Sequence, residues 1–183
     1  WRGAAADPVA ILDAALATPV GLIVGPHGSG RSTLLRHVVA AAEDRGLAVA
    51  FAHPERPLPS PSGVARLDLL ACDGAGRGRP WWQWRLARRC RAEGTPLLMT
   101  ADRRLGGRVL HRRHPDAAEL RAVVTACLEG TGAEPPTDEV LAARLREHAH
   151  SVRAVLESLA ADWERGTGLA PGWPDDGPAP PLA

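Results

Sequence analysis

Residues 20–33 read VGLIVGPHGSGRST, and this stretch limits the fold more than any other. Val20–Val24 is a short apolar run of the kind that forms a strand buried on both faces. Three glycines, Gly25, Gly28 and Gly30, then break the run within six residues. From Ser32 to Asp44 the period changes to helical, with Leu34, Leu35, Val38 and Val39 on one face and Gly46 as the stop. A buried strand, a glycine turn and a helix oblige the next strand to return parallel to the first, so the expected class is α/β with layers on both faces of a sheet.

The loop also has a chemistry. Glycines let backbone N–H groups turn inward and approach a phosphate, and the helix that follows presents the positive end of its dipole. The spacing fits G-x-x-x-x-G-K-[ST], with Arg31 in place of lysine. Read this way, Gly25, Pro26, His27, Gly28, Ser29, Gly30, Arg31, Ser32 and Thr33 hold a nucleotide. Arg31 reaches its terminal phosphates, Ser32 ligates Mg²⁺ and Thr33 supplies a supporting hydroxyl. His27 occupies a variable position, and its presence in the loop reads as incidental. The plain alternative is a strand-to-helix turn with chance glycines. All 22 basic residues are arginine and none is lysine, so Arg31 is one instance of a bias across the whole chain. Its planar fork is bulkier than an ammonium, and binding should survive the exchange more readily than catalysis.

Elsewhere the pattern alternates. A helix is expected over 8–17, with Asp7 as its cap and Pro8 at its first position. Strands are expected over 47–52, 64–72, 96–100 and 108–111, and helices from Pro80 to about Ala92 and over 115–128, 137–148 and 151–163. Residues 54–63 contain four prolines and read as a loop. The expected organisation is a nucleotide-binding core over 1–114, a helical lid over 115–166 and a Pro/Gly-rich disordered tail over 167–183.

Asp73 closes the third expected strand and is the natural carboxylate for a phosphate-bound Mg²⁺; the plain alternative is a solvated strand-end acid. It follows an intervening strand, and the next strand ends on Thr100. This order resembles the P-loop NTPases of the AAA+ and related additional-strand ATPases. The resemblance spans roughly residues 8–166 and implies a three-layer fold with a mostly parallel five-stranded sheet and a small helical lid. It further implies ATP and Mg²⁺ as cofactors, Asp73 as the second metal residue, Thr100 as a polar sensor and Arg153, in HSVRAVLESL, as a lid sensor. Two departures stand out: arginine in the loop, and Gly74, Ala75 and Gly76 where a water-polarising glutamate usually follows the aspartate. Glu55 is the one candidate substitute. The function expected is an ATP-binding module with weak or conditional ATPase activity, acting as a switch or accessory ATPase. A small-molecule kinase and a non-hydrolysing scaffold stay open. No guanine-reading N-K-x-D motif is present, which tilts the nucleotide toward ATP.

Residues 77–113 carry eleven arginines against two acids, Glu93 and Asp102, in a chain of net charge +1. Such asymmetry suggests a nucleic acid or an acidic protein partner, or else a solvated face in a lysine-free chain. Arg103 or Arg104 could serve a neighbouring copy as a finger, which would require a homo-oligomer. Trp81, Trp82 and Trp84 read as packing anchors before base-stacking residues, and His148 and His150 as capping or surface groups. Three cysteines without metal spacing, no leader pattern and no apolar run near 18 residues lead us to expect a reducing, cytoplasmic setting and no membrane span.

Overall fold

The computed structural model describes residues 6–52, 67–75, 80–103 and 105–165. The expected loop over 54–63, the tail over 167–183, Glu55, Arg77, Arg79 and Arg104 lie outside these residues. In chain order the elements are α1 (Pro8–Leu16), β1 (Val20–Val24), α2 (Arg31–Asp44), β2 (Val49–Ala52), β3 (Leu69–Cys72) and α3 (Pro80–Glu93). β4 (Leu97–Ala101), β5 (Arg108–Arg112), α4 (Ala117–Leu128), α5 (Asp138–Glu147) and α6 (Val152–Glu164) follow.

The five strands form one sheet in the order β2-β3-β4-β1-β5, and every pairing is parallel. Thus β4, late in sequence, lies between β1 and β3. Of the expected 64–72 strand, 64–66 lie outside the described residues, and Leu67 and Asp68 precede β3 rather than join it. Asp68 spends its carboxylate on the Ala48 amide at 2.9 Å, tying the entrance of β3 to that of β2 before regular pairing begins.

Contacts divide the chain into two compact units. The first holds residues 6–25 and 30–113 and is layered. On one sheet face Trp82, Leu86 and Cys90 of α3 pack against Val20, Leu22, Leu70, Leu97 and Met99. On the other, Ile11 and Leu12 of α1 and Leu34, Leu35 and Val38 of α2 cover Ile23, Leu69 and Leu98. The bias toward packing holds for Trp82, 8% exposed, whereas Trp81 and Trp84 stand 52% and 60% exposed.

The second unit holds residues 26–29 and 114–165. Its core is Leu120 and Val124 of α4, Leu141 and Leu145 of α5, and Val155 and Leu159 of α6. Arg144 joins α5 to α6 by donating to Ser158 at 3.1 Å and to Asp162 at 2.7 Å. The turn between those helices puts Ala149 and His150 at φ of 49° and 59°. Left-handed backbone at non-glycine residues is strained and persists only where the surroundings impose it.

A glycine pair before β5 illustrates how closely its entrance packs. A Cβ on Gly107 would stand 2.9 Å from the Val20 carbonyl oxygen and 2.8 Å from its Cγ1, whereas one on Gly106 would meet nothing within 4 Å. Gly107→Ala should therefore cost about 1–3 kcal/mol. Gly106→Ala should be neutral or stabilising by up to about 1 kcal/mol. Urea unfolding of the two variants checks the contrast; equal effects would contradict the packing described.

Candidate functional site

The carboxyl ends of β1, β3 and β4 converge. Val24 is level with Ala101, and Cys72 with Met99, so Asp73 stands one step on, beside Thr100. The Thr100 hydroxyl donates to Asp73 Oδ1 at 2.6 Å and accepts the Gly74 amide at 2.8 Å. The Ser32 hydroxyl, from the first turn of α2, donates to the same Asp73 oxygen at 2.9 Å. The sequence-expected Ser32, Asp73 and Thr100 thus form one hydrogen-bonded group. Thr100 is 1% exposed and acts here by orienting Asp73.

Helix α2 starts differently from its neighbours. α1, α4, α5 and α6 are capped by the side chains of Asp7, Asp116, Thr137 and Ser151. The cap of α2 is Gly30, which offers no side-chain acceptor. Gly30 takes φ of 88° and Gly28 of 76°, a region where Cβ-bearing residues are strained. The first N–H groups of α2 are left for another acceptor.

Two guanidinium groups stand near that terminus. Arg31, its side chain 11% exposed, is ion-paired with Asp102, just beyond β4. Arg113, 6% exposed and just beyond β5, lies against Gly30: a Cβ there would stand 3.5 Å from its Nε. Its amide donates to the Val24 carbonyl at 2.6 Å. Asp102 and Arg113 were not singled out as site residues in the sequence. Only the sheet order places them at the carboxyl ends of the strands flanking β1, where ligands gather in parallel sheets.

Within the second unit, Gly28 meets the start of α6. The Arg153 amide donates to the Gly28 carbonyl at 3.4 Å, and a Cβ on Gly28 would overlap the Ser151 hydroxyl. Arg153 is thereby next to the loop residue Gly28. Ser29 is fully buried, and its hydroxyl has no partner among the described residues. His27 and Thr33 are exposed, Pro26 is half-buried and Gly25 donates its amide to the Ala101 carbonyl at 3.3 Å.

Ser32 and Asp73 offer two neighbouring oxygens, the ligand type Mg²⁺ takes, usually beside phosphate oxygens and water. Among the described residues no cluster of three or more His, Cys, Asp or Glu could hold a metal. The residues therefore suit a metal arriving with a nucleotide. Cys72, next to Asp73, adds no nucleophile: burial, then the Asp73 charge, push its thiol up to about 12.

No family model and no curated protein sequence matches this chain. Solved structures do. A DNA replication initiation factor aligns with a TM-score of 0.54 at 15% identity, over 85% of this chain and 60% of its own. AMPPCP-bound DnaA from Aquifex aeolicus aligns at 0.53 and 16%, again over 85% and 60%. What this chain shares with them is the fold, an α/β arrangement around a parallel five-stranded sheet. A replication initiator DnaA bound to AMPPCP and single-stranded DNA aligns at 0.50 and 15%, over 84% of this chain and 59% of that one. The chain spans about three-fifths of the length of these neighbours. No described helix is long and apolar enough to cross a membrane.

A phosphate bound at the loop would compete with Asp102 for the Arg31 guanidinium. Asp102→Asn should raise MgATP affinity up to about fivefold, the scale of one partly exposed ion pair. Titration calorimetry reads the change. Weaker binding would mean that Asp102 holds Arg31 in its productive position.

Proposed function

We propose that this chain is an ATP-binding AAA+-like module with weak or conditional ATPase activity, acting as a nucleotide switch or accessory ATPase. One observation carries the reading: the Ser32 hydroxyl and the Asp73 carboxylate share a hydrogen bond beside a helix terminus that no side chain caps. Residues 1–114 form the nucleotide-binding core and 115–166 the lid. In this reading Gly25–Thr33 surround the phosphates, Arg31 and Arg113 offset their charge, and Ser32 and Asp73 hold Mg²⁺, with Thr100 fixing Asp73. Mg²⁺, when bound, would draw charge from the phosphate oxygens. Arg153 contributes from the lid. The AMPPCP in two of the structural neighbours supports ATP as the ligand class.

Hydrolysis is slow in this account. Phosphoryl transfer depends on positioning the attacking water and stabilising charge, and the residue after Asp73 is a glycine at φ of 71° with no side chain to do the first.

The partner is anionic. Along α3, Trp81, Trp84, Arg85, Arg88 and Arg91 are exposed at helical spacing, with Arg85 5.7 Å from the Trp81 ring and Arg88 5.3 Å from the Trp84 ring. Exposed indoles interleaved with guanidiniums suit bases and phosphates, which favours nucleic acid over an acidic protein. The single-stranded DNA on one structural neighbour agrees in kind.

The test is titration calorimetry of MgATP on the purified chain, beside Arg31→Ala and Arg31→Lys. Binding in the micromolar range is expected, weakened at least tenfold by alanine and kept by lysine, with faster turnover in the lysine variant. Absence of binding in all three would leave the non-hydrolysing scaffold. Phosphorylation of an added small molecule would favour the kinase.

A further inference from the structure

Beside β5 the surface opens into a groove of about 760 Å³. Its charged lining among the described residues is Arg91, from the last turn of α3, with Arg108 and Arg112 at the two ends of β5, and no described acid lines it. None of these three makes an ion pair among the described residues, whereas Arg45, Arg89, Arg121, Arg144 and Arg165 all do. Three like charges around one concavity raise its potential and draw an anion.

The floor has its own unmet demand. Thr18 is 6% exposed, and its hydroxyl has no hydrogen-bond partner among the described residues. Leaving such a group buried and unpaired costs about 1–3 kcal/mol. Gly106, also in the lining, leaves open space where a side chain would stand, so a ligand can approach the backbone closely. Arginines on an edge strand also discourage edge-to-edge pairing. That role accounts for Arg108 and Arg112 but for neither Arg91 nor Thr18.

We propose that this groove is a second anion site, taking a ligand with two or more linked phosphates. A register shift in β5 sets Arg108 and Arg112 opposite Gly21 and Val24, three strand steps or about 10 Å apart, which a phosphate chain spans more readily than a single ion. The groove's floor precedes β1, whereas the glycine loop follows it; Arg112, level with Val24, is the lining residue at the loop end. The inference rests on the anionic-partner reading above and names the arginines that meet the phosphates. Free polyphosphate and a nucleic-acid backbone share this chemistry.

Fluorescence anisotropy of a labelled abasic deoxyribose-phosphate decamer, with the full chain and with inorganic tripolyphosphate as competitor, tests it. The decamer should bind, and tripolyphosphate should displace it; the tighter of the two identifies the source. Arg108→Ala with Arg112→Ala should weaken binding at least tenfold and flatten the salt dependence by about 0.7 in log–log slope per arginine removed. Arg91→Gln, a milder change, should weaken it severalfold, and Arg31→Ala should leave it unchanged. No binding, or equal binding in the double variant, overturns the site. An oligo-dT decamer held equally by wild type and double variant would overturn the groove while leaving the anionic-partner reading intact.

Discussion

One carboxylate oxygen joins three chain segments. Asp73 Oδ1 accepts from Ser32 at the start of α2 and from Thr100 at the end of β4, and Thr100 in turn accepts the Gly74 amide. The connection depends on the strand order, because β4 lies between β1 and β3 and brings Thr100 level with Asp73. Had β3 paired directly with β1, no hydroxyl would stand between the loop strand and the acid. The all-parallel sheet, with helices packed on both faces, keeps these carboxyl ends in register.

Around that group the electrostatics favour a guest anion. Helix α2 offers its uncapped terminus, and Arg31 and Arg113 are both largely buried nearby. Burying guanidiniums is costly without compensation. Asp102 supplies it for Arg31 at present, and as a largely exposed acid it is a weak competitor for a multiply charged phosphate. A strand-end acid thus holds the guanidinium that stands at the start of α2.

Much of this was legible in the residues. The period change from Val20–Val24 to Leu34–Val39 announced strand and helix, Asp7 was legible as the cap of α1, and the helices expected from Thr137 and Ser151 begin one residue later, with those two as their caps. Asp73 and Thr100 could be picked out because each ends an apolar run, but only the sheet order shows that they bond to each other. Asp102 and Arg113 escaped notice because long-range pairing decides which strand ends neighbour β1, and local pattern carries no such information. The start of β3 was misjudged for a related reason: Asp68 is committed to a residue twenty positions earlier. In the arginine-rich stretch, charge alone could not separate the buried Arg113, the paired Arg89 and the exposed Arg91.

The central claim is that the backbone of 25–33 cradles phosphates. The most direct measurement follows backbone amide resonances of the isotopically labelled chain as the magnesium complex of AMPPCP is added. The account predicts large, saturable shifts at Gly28, Gly30, Arg31 and Ser32, with smaller ones at Asp73 and Thr100. Unmoved loop amides at saturating nucleotide, or shifts confined to β5, would contradict it.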